Sequence, residues 1–406
     1  MDGMVVLPSA AHGVSEAGRA QRPRPGSGAV AGGGRAGPAT VGGPMTAADA
    51  AAGSGSDQTL IHSLSREELD EVCRALGAPA FRADQIWHWL YPRACSAWAE
   101  MKNLPAALRA ELARRFTLDS AVALQTEGSP GETRKILVRL SDGEQVEQVL
   151  IPAPRRRTVC VSTQAGCRYA CAFCASGRAG FGRNLLAGEI VGQVLTAARL
   201  FGGRPTHVVF MGIGEPLDNY DQILKAIRIL NHPAGLAIGA RRMTISTCGL
   251  APAIRRLAGE GLQVELSVSL HAPRDELRSR LMPVNRKYPL AELLAACREY
   301  TAATKRLITF EYTLIGGVND AEGDAEELAR RLADLPARVN LIPLSPVEEF
   351  AGRPAPPEAA ARFIRVLARA GINATRRVSK GCARRAACGQ LRYRGHGRPA
   401  AASATP

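Results

Sequence analysis

Long hydrophobic segments and an acidic surplus are both missing from this sequence. No run of eighteen apolar residues occurs in its 406 residues, which excludes a membrane-spanning helix at the level of sequence. Lys and Arg number 52 against 37 Asp and Glu, for a formal net charge of +15. Such a basic surplus is typical of proteins that bind phosphate groups, and equally of a solvated, arginine-rich surface.

Cysteine is used sparingly, and no secretory signal accompanies it. A chain of this length without such a signal gives no reason to interpret its ten cysteines as a disulfide framework. We therefore expect a cytoplasmic protein with reduced thiols. Four of the ten nevertheless lie within fifteen residues, in the segment 160–174 with the sequence CVSTQAGCRYACAFC.

Composition and pattern divide the chain into five predicted segments. They are a Gly/Ala/Pro-rich disordered leader at 1–56, a helical domain at 57–120, a β-hairpin extension at 121–157, a barrel with a C-terminal loop at 158–392, and a disordered tail at 393–406. Ser65 and Glu68 have the spacing of a capping box and predict where the first helix begins. Two alternating segments around SDGE predict the hairpin.

Six short apolar segments alternate with amphipathic segments after residue 157. They occupy 158–163, 206–211, 243–247, 264–270, 307–315 and 338–344. Repeated strand–helix units with right-handed crossovers predict an α/β fold whose parallel sheet curls into a full or partial barrel. An open doubly wound sheet is the alternative. Barrel enzymes build their sites from the loops at the carboxyl ends of the strands.

Three cysteines follow the first of these strands in a CxxxCxxC arrangement, at Cys167, Cys171 and Cys174. Thiolates at this spacing can surround one metal centre. A structural zinc site takes four protein ligands and usually has paired CxxC elements, whereas three cysteines suit a [4Fe-4S] cluster that leaves one iron open to a small molecule. Three unrelated thiols are the remaining interpretation.

Small and polar residues end the second, third and fourth predicted strands. Gly214 and Glu215 follow the second strand, where glycine allows close backbone approach and the carboxylate can bind an ammonium group. Ser246 ends the third strand, and Ser269, Leu270 and His271 end the fourth. Each is ordinary by itself, since a Gly-Glu-Pro turn is common and a single histidine is more often structural. Their agreement across successive strands indicates a binding site at this edge.

The CxxxCxxC motif, with Phe173 before its last cysteine, resembles the signature of radical S-adenosylmethionine (SAM) enzymes. Within that superfamily the chain is similar to the Cfr/RlmN group of RNA adenine methyltransferases, through CVSTQAGC, GFGRNL, MGIGEPLDN, SLHAP, VNLIP and AACGQLR between residues 60 and 392. The resemblance implies a partial (β/α)6 TIM-like barrel with a [4Fe-4S] cluster on the three cysteines. It also implies two SAM molecules per turnover, with contacts from Gly214, Glu215, Ser246, Ser269, Leu270, His271 and Ser345.

The resemblance assigns reaction chemistry to three further residues. Cys388 takes a methyl group from SAM and carries it to carbon 2 of adenosine in 23S rRNA and in tRNA, through a covalent protein–RNA intermediate. Glu147 removes the proton from the carbon under attack, and Cys160 forms a disulfide with Cys388 that releases the product. On residue pattern alone, Cys160 is an inert buried thiol and Glu147 a solvated charge. Methylation of carbon 8, and a non-catalytic zinc- and RNA-binding protein, remain alternatives.

Basic residues cluster in two places that fit an RNA partner. Arg155–Arg157 precede the first barrel strand, and Arg376, Arg377, Lys380, Arg384 and Arg385 precede Cys388. Aromatic residues make up only 5% of the chain, so we expect RNA to be recognised by shape more than by stacking. The resemblance further implies a monomer and an electron donor such as flavodoxin or ferredoxin. Ser345 departs from the group's usual asparagine, and Arg384 and Arg385 from its usual acidic residue and isoleucine.

Overall fold

The computed structural model describes residues 58–178, 180–345 and 350–377. The predicted leader, the predicted tail and the loop that carries Cys388 lie outside the described residues. None of the helices in the described ranges has the length and apolar character that a membrane crossing needs.

The N-terminal part is helical, as the sequence predicts. It contains α1 (Arg66–Ala75), α2 (Phe81–Leu90) and α3 (Ala106–Arg115), and its two ends meet where β1 (Thr59–Leu60) pairs in parallel with β2 (Phe116–Thr117). The predicted capping box is confirmed, because Ser65 Oγ accepts a hydrogen bond from the Glu68 N–H at 3.2 Å and the Glu68 carboxylate accepts one from the Ser65 N–H at 2.6 Å.

Four antiparallel strands follow the helical part. They are β3 (Val122–Glu127), β4 (Arg134–Arg139), β5 (Gln145–Ala153) and β6 (Arg156–Cys160). The predicted hairpin around SDGE is β4 and β5. Only Pro154 and Arg155 separate β5 from β6, and the predicted boundary after residue 157 falls inside β6. The hairpin is therefore continuous with the strand that begins the barrel.

Eight more strands follow in the described residues. They are β7 (Gln164–Gly166), β8 (Phe181–Asn184), β9 (His207–Phe210), β10 (Met243–Thr247), β11 (Glu265–Ser269), β12 (Ile308–Leu314), β13 (Ala337–Pro343) and β14 (Asn373–Arg376). In the described residues one sheet of ten strands has the order β14-β13-β12-β11-β10-β9-β6-β5-β4-β3, while β7 and β8 form a separate antiparallel pair. The run from β6 through β9 to β14 is parallel.

All six predicted barrel strands are confirmed, and β14 adds a seventh parallel strand at the sheet edge. Helices connect the strands as predicted. They are α4 (Ala175–Arg178), α5 (Ala187–Phe201), α6 (Tyr220–Asn231), α7 (Ala251–Ala258), α8 (Asp275–Leu281), α9 (Leu290–Thr304), α10 (Glu322–Leu332) and α11 (Pro357–Arg369). Short 3-10 turns lie at Ile61–Ser63, Trp98–Glu100, Pro216–Asn219, Ala240–Arg242 and Pro283–Arg286.

The two faces of the parallel sheet have different chemistry. On β12, Phe310 and Tyr312 are buried, and the Tyr312 ring contacts Phe363 of α11 with centroids 5.1 Å apart. Because successive side chains of a strand point to opposite faces, Thr309, Glu311 and Thr313 lie on the face away from that helix. Neighbouring strands repeat the alternation. The helix-facing side is thus apolar, and the opposite side carries polar residues.

Candidate active site

The three cysteines of the CxxxCxxC motif lie in the loop between β7 and α4. All three are partly buried and none is in a disulfide. Burial, with a smaller contribution from the nearby Cys174 thiol, raises the pKa of Cys167 to about 12. Burial also raises the pKa of Cys171, and the nearby Cys174 and Cys167 thiols raise it further by smaller amounts. Thiols that resist ionisation by themselves become thiolates when a metal cation binds them, so this donor set fits iron.

Metal geometry separates a cluster from a single ion. Among the described residues, no group of three or more His, Cys, Asp or Glu side chains is arranged to hold one metal ion. A cubane [4Fe-4S] cluster takes each cysteine on a different iron, so its three ligands do not need to converge on one point.

A close backbone approach shapes the start of the cysteine loop. The Cys167 N–H donates to the Gly180 carbonyl at 2.9 Å. Gly166, the residue before Cys167, has φ of 89°, and a Cβ atom there would overlap the same Gly180 carbonyl oxygen. Only glycine fits this position without moving the backbone.

Asp218 ties the cysteine loop to the segment after β9. Its carboxylate accepts hydrogen bonds from Tyr169 Oη at 3.0 Å and from Gln164 Nε2 at 2.8 Å, and pairs with Arg168 Nε at 3.1 Å. Tyr169 and Arg168 lie inside the loop, between the first two cysteines. Asp218 lies inside the motif MGIGEPLDN, but no spacing or pattern in the sequence marks it as a functional residue.

Glu215 lies close to that loop and is 3% exposed. Its two carboxylate oxygens accept hydrogen bonds from the Leu217 N–H at 3.0 Å and from the Cys248 N–H at 2.7 Å. Burial raises the pKa of Glu215, and these backbone donors oppose that shift. The side chains of Thr247 and Cys248 also hydrogen-bond this carboxylate, so an ammonium group would have to share or displace these two side-chain donors. Gly214, with φ of 107°, approaches Gln164 so closely that a Cβ would lie 2.6 Å from the Gln164 Cβ.

The predicted serines and histidine lie along the neighbouring strand ends. Ser246 and Ser269 are partly buried, whereas the Leu270 side chain is fully buried in the core. His271 has a positive φ of 57°, and its Nδ1 accepts a hydrogen bond from the Thr313 N–H at 2.9 Å. Burial lowers the pKa of His271 to about 3, so the ring is neutral and carries its hydrogen on Nε2. Its ring contacts Phe173 of the cysteine loop at 4.7 Å.

Ser345 lies two residues beyond β13 and is partly buried. It immediately precedes residues 346–349, which are outside the described ranges. The structure therefore places Ser345 at the carboxyl end of a barrel strand, as the other predicted SAM contacts are.

Glu147 is buried, which differs from the solvated charge that its residue pattern indicates. It is 2% exposed, and its Oε2 lies 3.2 Å from Nζ of Lys135, which is 6% exposed. Cys160 pairs with Val149 across β5 and β6, two residues from Glu147. Residues paired or two apart in this way share one sheet face, so the Glu147 and Cys160 side chains lie on the same face.

Comparison with known proteins gives the family. A sequence model of the radical SAM superfamily matches residues 161–332, and one of the ribosomal RNA large subunit methyltransferase N-terminal domain matches residues 60–118. A probable dual-specificity RNA methyltransferase RlmN of Moorella thermoacetica is 46% identical over 342 residues, which are 82% of this chain and 97% of the relative. One of Symbiobacterium thermophilum is 49% identical over 336 residues, 82% of this chain and 90% of the relative. The chain belongs to the RlmN family of radical SAM methyltransferases.

The fold agrees with this family. The crystal structure of a radical SAM methyltransferase from Sphaerobacter thermophilus is 48% identical, with a TM-score of 0.79, and the match covers 82% of this chain and 98% of that one. The cofactors of this RlmN-family enzyme are those of the superfamily, a [4Fe-4S] cluster and SAM.

A buried arginine of this RlmN-family enzyme holds the strand ends of the site and was missed in the sequence. Arg278 of α8 is fully buried and donates hydrogen bonds to the carbonyl oxygens of Cys248, Ser269 and Leu270 at 2.7 to 3.1 Å. Three carbonyls around one guanidinium fix the backbone at the ends of β10 and β11. In the sequence Arg278 lies among other charged residues of an amphipathic helix, which carries no sign of burial.

The predicted basic clusters lie at opposite ends of the parallel strands. Arg155 and Arg156 are exposed at the amino end of β6, away from the cysteine loop that follows its carboxyl end. Arg376 and Arg377 are exposed at the carboxyl end of β14, on the same side as the other strand ends of the site. Lys380, Arg384, Arg385 and Cys388 lie outside the described residues.

Proposed function

We propose that this enzyme methylates carbon 2 of adenosine in 23S rRNA and in tRNA. The RlmN relatives, which are named dual-specificity RNA methyltransferases and match over nearly their whole length, support an RNA substrate. The observation that carries the proposal is the buried placement of Glu147 and Cys160 on one face of the sheet, with Cys160 at the carboxyl end of β6, ahead of β7 and the cysteine loop.

The target carbon requires radical chemistry. Carbon 2 of adenine lies between two ring nitrogens and is electron-poor, so it does not attack the methyl group of SAM as a nucleophile. Cys167, Cys171 and Cys174 would hold the [4Fe-4S] cluster, which in its reduced state would supply the electron for cleavage of SAM into methionine and a 5′-deoxyadenosyl radical.

Cys388 serves as the methyl carrier. Its thiolate displaces S-adenosylhomocysteine from one SAM and becomes an S-methyl thioether. The 5′-deoxyadenosyl radical from a second SAM takes one hydrogen atom from that methyl group and becomes 5′-deoxyadenosine. The methylene radical left on Cys388 adds to carbon 2 and links protein to RNA. The basic residues at Arg376 and Arg377 lie at the side of the sheet from which the Cys388 segment continues, where they attract RNA phosphates.

Glu147 and Cys160 resolve the linkage. Glu147 accepts the proton of carbon 2, and the oxidised cluster would take back one electron from the adduct, which together restore the aromatic ring. The Cys160 thiolate then attacks the sulfur of Cys388, so that a disulfide forms as the carbon–sulfur bond breaks. The electron pair of that bond remains on the methylene carbon, which takes up a proton and becomes the methyl group.

The strand ends bind the SAM molecule. Glu215 accepts hydrogen bonds from its ammonium group, Gly214 allows that approach, and Ser246, Ser269 and the backbone at Leu270 provide polar contacts. Neutral His271 donates from Nε2. Ser345 takes the position of the family's usual asparagine with a shorter side chain, so we expect it to contribute a single hydrogen bond.

The substrate and the cofactors also define the setting of the reaction. An enzyme that modifies ribosomal and transfer RNA and depends on a reduced cluster works in the cytoplasm. It takes its electron from a donor such as flavodoxin or ferredoxin, and we propose that it acts as a monomer.

The test is methylation by protein reconstituted with iron and sulfide under anaerobic conditions. SAM and a reductant are added with a 23S rRNA fragment or tRNA, and the digested nucleosides are separated by mass spectrometry against 2-methyl- and 8-methyladenosine standards. We expect 2-methyladenosine, and none from Cys388→Ala. Cys382→Ala, six positions earlier, is the matched control and should retain activity. Normal methylation by Cys388→Ala would refute the carrier mechanism, and 8-methyladenosine would refute the choice of carbon.

A second measurement isolates the resolution step. Cys160→Ala should still form the protein–RNA linkage but release it slowly, which a denaturing gel detects as RNA that migrates with protein. Absence of any retained RNA in this variant, with methylation unchanged, would contradict the role of Cys160.

A further inference from the structure

A buried glutamate on the polar face of the barrel sheet has a hydrogen-bond partner for only one of its two carboxylate oxygens in the described residues. Glu311 lies in the middle of β12 and is 5% exposed. Its Oε1 accepts a hydrogen bond from Asn340 Nδ2 at 3.2 Å. Its Oε2 is buried without a hydrogen-bond partner among the residues that the structure describes. A buried carboxylate oxygen without a donor is unfavourable, so this atom indicates a ligand.

Asn340, the cross-strand neighbour of Glu311 on β13, cannot turn to satisfy Oε2. The Asn340 side chain donates to Glu311 and accepts from Thr375 Oγ1 at 2.8 Å, so both ends of its amide are used. Burial raises the pKa of Glu311, and Arg377, Asn340 and Arg338 oppose that shift. The acceptor at Oε2 is therefore fixed in place by β13 and β14 before any ligand binds.

The strand register places Glu311 beside the expected SAM contacts. Glu311 pairs with Ser269 of β11, and paired residues of parallel strands share a face. Glu215 reaches the end of β10 through its hydrogen bond to the Cys248 N–H. From β10 to β12 there are two strand spacings, or about 9.6 Å.

That spacing selects the part of SAM that lies at Glu311. The ammonium nitrogen and the ribose 3′-hydroxyl of SAM are eight covalent bonds apart, which spans about 10 Å at roughly 1.25 Å per bond. The exocyclic amine of its adenine is several ångströms farther away. With the ammonium group at Glu215, the ribose reaches β12, and its hydroxyl groups are the donors that a carboxylate binds through short, strong hydrogen bonds.

We propose that Glu311 binds the ribose hydroxyls of SAM and that Asn340 and Thr375 hold its carboxylate in position. The inference rests on the proposed contact between Glu215 and the ammonium group, and not on the identity of the RNA. Thr309, two residues earlier on the same strand face, accepts from Arg338 Nε at 2.7 Å and provides the matched control.

The experiment measures SAM binding without turnover. Protein reconstituted with its cluster and kept oxidised is equilibrated with labelled SAM, and with its 2′-deoxy and 3′-deoxy analogues, by anaerobic dialysis. Wild-type protein should bind at least one deoxy analogue about tenfold more weakly than SAM, as expected for a lost hydrogen bond to a charged acceptor. Glu311→Met should bind SAM about tenfold more weakly than wild type and should lose this preference. Glu311→Gln, which keeps the shape of the side chain without its charge, should lose part of the preference for SAM over the deoxy analogues. Thr309→Val should keep the full preference.

The SAM affinity of Glu311→Met decides whether the proposal stands. Unchanged SAM affinity in Glu311→Met, with iron content and circular dichroism equal to wild type, would overturn the proposal. A second result would also overturn it. Glu311→Met could bind SAM normally but no longer distinguish RNA that contains adenosine from RNA that contains purine riboside at the target position. The carboxylate would then bind the substrate base and not SAM. Glu215→Gln tests the supporting contact separately, since its failure to weaken SAM binding refutes the Glu215 role while the deoxy analogues still report on Glu311.

Discussion

The buried ion pair between Lys135 and Glu147 makes a quantitative prediction about stability. The two charged atoms lie 3.2 Å apart, with side-chain exposures of only 7% and 3%. Replacing Lys135 by Met removes the cation and leaves a buried carboxylate with less compensation. The same pair holds the proposed base, Glu147, in place. The contribution of the pair to the stability of the fold can be measured without any methylation assay.

The magnitude follows from burial. At an effective dielectric constant of about 20, charges 3.2 Å apart attract by roughly 5 kcal/mol, and much of this is offset by the cost of desolvating both groups. Removing one partner of a buried pair typically costs about 3 to 5 kcal/mol. With an unfolding entropy of about 2 cal/mol/K per residue over roughly 300 folded residues, about 3 kcal/mol lowers Tm by about 5 °C.

An exposed ion pair of better geometry is the control. Arg298 Nε lies 2.7 Å from Asp334 Oδ2, with side-chain exposures of 42% and 62%, so Arg298→Met should cost less than about 1 kcal/mol. Thermal unfolding is followed anaerobically by circular dichroism at matched scan rates. The double variant Lys135→Met/Glu147→Gln should be more stable than the sum of its single variants predicts, by more than about 1 kcal/mol. Equal costs at Lys135 and Arg298, or strict additivity, would refute the reasoning.

Three further predictions concern the cysteine loop and the helical part. Asp218→Ala should lose iron to a chelator faster than wild type, because the cysteine loop loses its hydrogen bond from Tyr169 to this carboxylate. Asp221→Ala, on the exposed start of α6, is the control and should lose iron at the wild-type rate. Equal rates for the two variants would contradict the prediction. Gly166→Ala should prevent stable cluster incorporation, as judged by iron content, whereas Gly180→Ala has positive φ but open space and should cost only about 1 kcal/mol. Burial lowers the pKa of His62 from 6.5 to about 3. The neutral ring therefore contributes stability above pH 6.5, and this contribution is lost as pH falls toward 3, at up to about 1.4 kcal/mol per pH unit. His62→Gln should reduce this dependence of the unfolding free energy on pH, as measured by urea titrations.

The sequence predicts best what depends on local pattern. The strand at 243–247 is found at Met243–Thr247, and the capping box at Ser65 and Glu68 forms as expected. Both signals arise from neighbouring residues, since alternation fixes a strand and a side chain three residues away fixes a helix start. The order of strand and helix then fixes the barrel class, because right-handed crossovers leave few topologies.

The sequence predicts poorly what depends on register between strands. Lys135 and Glu147 meet only because Leu137 pairs with Glu147, and Glu311 meets Asn340 only because β12 and β13 align at those positions. Neither contact has a periodic signal in the sequence. Strand β14 was missed for a related reason, since its four residues are too few to show alternation.

The continuity of β3–β6 with the barrel bears directly on the proposed chemistry. A general base must lie within hydrogen-bond reach of the proton that it removes, and a displacement of about 1 Å can cost roughly a hundredfold in rate. On a hinged extension, Glu147 would not keep that position relative to the cysteine loop. Instead, Ser162 Oγ donates to the Glu147 carbonyl at 2.6 Å and accepts from the Ile213 N–H at 2.9 Å, which joins β5 to the segment leading to Glu215. The proposed base and the proposed SAM contact are thus fixed to each other through one serine, and Ser162→Ala should disturb both.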